Sequence, residues 1–78
     1  MNPFSSVPPI QERILELLRD KEPLSTRAIS WKLGPNYEIV KEELLRLQKD
    51  GLVFLSSWEL LDEDWAITKL GTQLFEAT

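Results

Sequence analysis

Five of the nine lysines and arginines in this 78-residue chain fall in one stretch: Arg27, Lys32, Lys41, Arg46 and Lys49. Set against Glu38, Glu42 and Glu43, they give residues 24–49 a net charge of +2. Residues 1–23 carry Arg13, Arg19 and Lys21 against Glu12, Glu16, Asp20 and Glu22, a net −1. Residues 50–78 carry Lys69 against Asp50, Glu59, Asp62, Glu63, Asp64 and Glu76, a net −5. The whole chain is −4, so one segment could attract a polyanion and the rest would repel it.

Other chemistry is poorly supplied. There is no cysteine, hence no disulfide, thiolate metal site or thiol nucleophile. There is no histidine either, so the serines and threonines lack the usual base to activate them, and the commonest metal ligand is missing. Asp62, Glu63 and Asp64 could hold a divalent cation loosely, but they lack the glycine turn and distal glutamate of a calcium loop. No glycine-rich phosphate loop is present. An enzyme is therefore not expected, nor is a cofactor or a bound metal. The start, MNPFSSVPP, has neither the basic residues nor the apolar run of a signal peptide, and no stretch is long enough to span a bilayer. A cytoplasmic protein with no membrane association is expected.

The elements that must position these residues can be read from period and punctuation. Length allows one small domain. Residues 1–8 read as an extended N-terminal arm, broken by Pro3 and Pro8 and able to pin to the core through Phe4 and Val7, and residues 9–78 as a single domain. Pro9 suits the first turn of a helix, which runs to about Lys21 with Ile10, Ile14, Leu17 and Leu18 on one face. Pro23 closes it. Ser25 is an N-cap for a second helix, with Leu24 and Ile29 at hydrophobic-staple spacing and Ala28, Ile29 and Leu33 inward. Gly34-Pro35 stops that helix, and Asn36 caps a third in which Val40, Leu44 and Leu47 form the buried stripe. Gly51 ends it. LVFLSSWELL then reads as a strand, Asp62-Glu63 as a hairpin tip, and Asp64 to Ile67 as the return strand with Trp65 and Ile67 on one face. Thr68 caps a short last helix packed through Leu70 and Leu74.

Three pieces of this order, AISWKLG, VKEELLRLQKDGLV and WAITKLG, resemble the winged helix-turn-helix family, in the branch that includes MarR- and PadR-type regulators. Together they cover most of residues 25–77. The resemblance implies an α+β, mainly helical fold: three helices, a two-stranded β-hairpin wing and a short C-terminal helix. It further implies a transcriptional regulator that binds double-stranded DNA by placing the third helix, about residues 36–50, in the major groove.

Placed on that frame, Arg27, Lys32, Arg46 and Lys49 would anchor phosphates, while Asn36, Tyr37 and Lys41 would read or touch the groove. Glu38 and Glu42 oppose this, and Glu42 with Arg46 could equally form an exposed i,i+4 pair. The wing departs from the family more clearly. Glu59, Asp62, Glu63 and Asp64 are its only charges between Ser56 and Thr68, and affinity for DNA depends mainly on neutralised phosphates. The alternative is a winged helix used for protein interaction, docking through Trp31, Leu45, Trp58 and the acidic residues Asp62, Glu63 and Asp64. Trp31 falls on the outward face of the second helix unless the first helix, the N-terminal arm or Phe4 covers it. With so few cations in one domain, a homodimer would raise affinity.

Overall fold

The computed structural model describes residues 7–58 and 62–76 of the chain. Four helices and three strands follow in the order α1 (Pro9–Lys21), β1 (Leu24–Ser25), α2 (Thr26–Leu33), α3 (Tyr37–Lys49), β2 (Val53–Trp58), β3 (Glu63–Ile67) and α4 (Lys69–Glu76). The expected helices are thus present close to their expected bounds. Their ends are built by the expected residues. The Ser25 side chain accepts from the Ala28 amide at 3.0 Å, and the Asn36 side chain accepts from Ile39 N–H at 3.0 Å. Gly34 ends α2 at φ 105°, a conformation that costs any residue with a Cβ. Thr68 caps α4 by accepting from the Gly71 amide at 3.0 Å.

The sheet is antiparallel in the order β1-β3-β2. Its third strand was not foreseen. Two residues before α2, Leu24 and Ser25, pair with Trp65 and Asp64, so the wing hairpin is tied to the helix-turn-helix along its inner edge. A two-residue strand has no periodicity to detect, and only the tertiary pairing creates it. The hairpin also differs at its tip. Glu63 is not in the turn; it lies in β3 opposite Trp58. Asp62, the other expected tip residue, lies just before β3, while residues 59–61, the end of the expected strand LVFLSSWELL, lie outside the described residues, as does Phe4. A register shift between Leu55 and Ser57 marks a bulge in β2, and Phe54 and Leu55 just before it are both exposed.

The core is a single cluster. Ile14, Leu15 and Leu18 of α1, Ile29 of α2, Val40, Leu44 and Leu47 of α3, and Val53, Trp65 and Ile67 of the sheet are buried together. The inward face of α1 differs from the expected stripe. Gln11 and Leu15 are buried, whereas Ile10 and Leu17 are only partly covered. Trp65 sits on the central strand between Leu24 and Leu55, fully buried, and its Nε1–H donates to the buried Thr26 hydroxyl at 2.9 Å. α4 packs through Leu74 and Phe75 rather than Leu70, which is 51% exposed. The reason is the close approach at Gly71: a Cβ there would sit 2.5 Å from the Leu52 carbonyl oxygen, so the helix meets the strand backbone on that side and turns Leu70 outward. Val7 packs against the core, as expected for the arm. No described helix is long and apolar enough to cross a membrane.

Candidate nucleic-acid interface

The surface in question is made by α2, the turn at Gly34-Pro35 and the exposed side of α3. On α3 the buried stripe of Val40, Leu44 and Leu47 leaves Glu38, Glu42, Leu45 and Lys49 facing outward. On α2 burial of Ile29 leaves Arg27 and Trp31 outward, one turn apart, with Lys32 beside them. Ser30 donates its hydroxyl to the Pro35 carbonyl and so fixes the turn that sets the two helices against each other.

The seven residues expected to contact DNA separate into three groups. Arg27 and Tyr37 line one open groove with Ser30 and Trp31, and Arg27 and Lys32 line a second with Ser25, Ala28 and Trp31. Arg46 and Lys49 share a depression at the far end of α3, beside Val7 and Gln11. From residue 37 to residue 49 the helix rises roughly 18 Å, so the two ends could meet different phosphates. Asn36 spends its side-chain oxygen on the cap. Lys41 stands between the ends but turns toward the sheet. Its Nζ pairs with the Glu63 carboxylate and lies 5.9 Å from the centre of the Trp65 ring.

Two of the five cations are therefore committed within the chain. Lys41 is paired to Glu63, with side chains 26% and 29% exposed. Arg46 bonds Glu42 at 2.8 Å and Glu43 at 3.3 Å, which is the i,i+4 pairing the spacing allowed plus a second acid one turn back. Glu43 itself accepts from the Gln11 side chain at 2.7 Å, so it ties α3 to α1. Arg27, Lys32 and Lys49 form no ion pair among the described residues.

The wing carboxylates are not a free acidic tip. Asp62 accepts from the Arg27 backbone amide at 3.2 Å, at the positive end of α2, and from the Glu63 amide at 2.8 Å. Glu63 takes Lys41, and Asp64 accepts from the Ser57 hydroxyl at 3.1 Å. Each of the three has a partner, and two of them pin the wing to the helix-turn-helix. Nothing local in the sequence signals the bond from Asp62 to Arg27 or that from Lys41 to Glu63, because the partners are 35 and 22 residues apart. No group of acidic residues among those described is arranged to hold a metal.

Trp31 is 85% exposed, so no described part of the chain covers it. Leu45 and Ile39 are also exposed on α3. Of the remaining residues in the alternative surface, Trp58 is placed in β2 opposite Glu63, and its side chain is outside the description.

Two solved structures share this architecture. The transcriptional regulator Tm0710 from Thermotoga maritima superposes with a TM-score of 0.84 at 23% identity, over 91% of this chain and 51% of that one. The PcaV transcriptional regulator from Streptomyces coelicolor, solved in complex with its natural ligand, also gives 0.84, at 18% identity, over 92% of this chain and 52% of that one. The chain thus spans about half the length of each. No family model and no curated protein matches the sequence. At such identities the likeness establishes the fold, which is the winged helix-turn-helix, α+β and mainly helical.

Proposed function

We propose that this chain is the DNA-binding module of a transcriptional regulator, which sets α3 in the major groove of a duplex and α2 across the backbone. One observation carries the reading. In an acidic chain, Arg27, Lys32 and Lys49 project from the helix-turn-helix with no ion partner among the described residues. These three anchor phosphates. Tyr37 and Asn36 stand at the helix end that enters the groove, and Lys41 reaches DNA only by leaving or sharing Glu63. Arg46, already neutralised by Glu42 and Glu43, contributes less. That both structural neighbours are described as transcriptional regulators supports the reading. Three contacts give weak binding, so a homodimer, or a longer regulator containing this module, supplies useful affinity.

The test is a titration of a labelled duplex at a series of salt concentrations. Three neutralised phosphates predict a slope of log K against log salt of about −3. Arg27→Ala and Lys49→Ala should each reduce that slope by about one, and Arg46→Ala should change it less. Absence of any binding at about 50 mM salt, where the electrostatic term is large, rejects the reading.

A second reading, a protein-interaction module, is favoured by the exposure of Trp31 and Leu45. The hairpin carboxylates support it less, since each has an intramolecular partner. It predicts binding that is indifferent to salt and to the loss of Lys49.

A further inference from the structure

We infer that Trp31 is a backbone-packing residue of the DNA interface: its indole lies against a deoxyribose between two phosphates held by Arg27 and Lys32. This rests on the DNA-binding reading and adds to it an apolar contact that no phosphate count includes.

The first argument is position. In helix-turn-helix docking the second helix lies in the major groove and the first crosses the backbone. Here the first helix is α2, and its outward face is Arg27 and Trp31. The groove that Trp31 lines is shared with Tyr37 in the first turn of α3, so the indole borders the proposed major-groove end.

The second argument is the chemistry around the ring. Trp31 is 85% exposed, yet its neighbours in the two grooves are Ser25, Arg27, Ala28, Ser30, Lys32 and Tyr37. A protein hot spot sits at the centre of a desolvated apolar patch. Here the indole shares its groove with Ala28 and with Arg27 and Lys32, two cations that form no ion pair among the described residues. Arg27 and Lys32 are five residues apart, about 7.5 Å along the helix axis. Trp31 stands one turn from Arg27 on the same face, with Lys32 the next residue, so a sugar packed on the ring has a cation near the phosphate on each side of it. Residues 1–23 and 50–78 carry net negative charge, so a phosphate backbone is drawn to the helix-turn-helix that bears this face.

The experiment measures duplex binding by the parent chain, Trp31→Ala, Trp31→Phe and Arg27→Ala between about 50 and 200 mM salt. Loss of an apolar contact lowers affinity without releasing fewer counterions. Trp31→Ala should therefore bind roughly tenfold more weakly at every salt concentration with the slope unchanged, as expected for removing an aromatic ring that becomes partly buried. Trp31→Phe should recover most of the loss. Arg27→Ala should instead flatten the slope by about one. Because Trp31 touches little of the core, all these variants should keep the parent's thermal midpoint, and that is checked by circular dichroism. A Trp31→Ala chain that binds as tightly as its parent while Arg27→Ala is weakened overturns the inference and leaves the DNA reading standing; the ring is then free for a protein partner. A parent chain that fails to bind at low salt overturns both.

Discussion

At the scale of single residues, the buried pair Trp65 and Thr26 holds the wing to the helix-turn-helix. The indole N–H is wholly enclosed, and the Thr26 hydroxyl is its acceptor across 39 residues of sequence. Thr26→Val keeps the shape and removes the acceptor. An enclosed donor left without a partner costs the desolvation of that group, about 1–3 kcal/mol. Urea unfolding should show a lowered midpoint with an unchanged slope, since the surface exposed on unfolding hardly alters. A variant as stable as the parent would mean that the indole N–H finds another acceptor. In the sequence, strand alternation puts Trp65 on the same face as Ile67. It could not name Thr26, which local pattern would leave as an ordinary first-turn residue. The same limit applies to Lys41. Its type and helix position suit DNA, but the structure gives it Glu63 as a partner, and that pairing depends on how the wing folds back.

At the scale of elements, what was legible is what the chain encodes locally. Ser25, Gly34, Asn36 and Thr68 sit at helix ends because their side chains or φ angles satisfy backbone groups there, and such signals need no tertiary knowledge. The hairpin pairing of β2 with β3 was legible too, but the pairing of β1 and the exact register were not. β1 exists only because Leu24 meets Trp65, and the bulge between Leu55 and Ser57 arises from the fit of β2 to β3. Asn36 shows how the two kinds of role can be separated. Its side-chain oxygen caps α3, and the same residue stands at the end of the helix proposed to enter the groove. Asn36→Ala should cost about 1 kcal/mol of stability through loss of the cap. Asn36→Asp should stay as stable as the parent, because aspartate caps equally well and favours the helix N-terminus. On DNA, however, the added carboxylate should weaken binding. Thermal denaturation and duplex titration of the two variants distinguish a cap from a contact: an Asp variant that binds as well as the parent places residue 36 away from the phosphates.

At the scale of the whole molecule, the balance of charge decides how the module can work. The chain is −4 overall, two of its five helix-turn-helix cations are occupied by its own acids, and the wing adds no positive residue between Ser56 and Thr68. On the proposed reading one copy has a small electrostatic hold on DNA, and a second copy on the same site would raise occupancy at physiological salt. Phosphate contacts add between copies, so their number can be read from the salt dependence. On a duplex of one helical turn, which has room for one α3, the slope should be about −3; on a duplex with two half-sites a helical turn apart it should nearly double, to about −5.5, with two chains bound. Sedimentation of the complexes gives the stoichiometry independently of the slope. Equal slopes on the two duplexes, with one chain on each, would show that a single copy acts alone and that pairing plays no part in its affinity. A slope of about −4.5 with a single chain bound would mean that Lys41 and Arg46 leave their acids when DNA is present. In that case the ion pairs at Glu63 and Glu42 compete with phosphate rather than remove the cations from the interface.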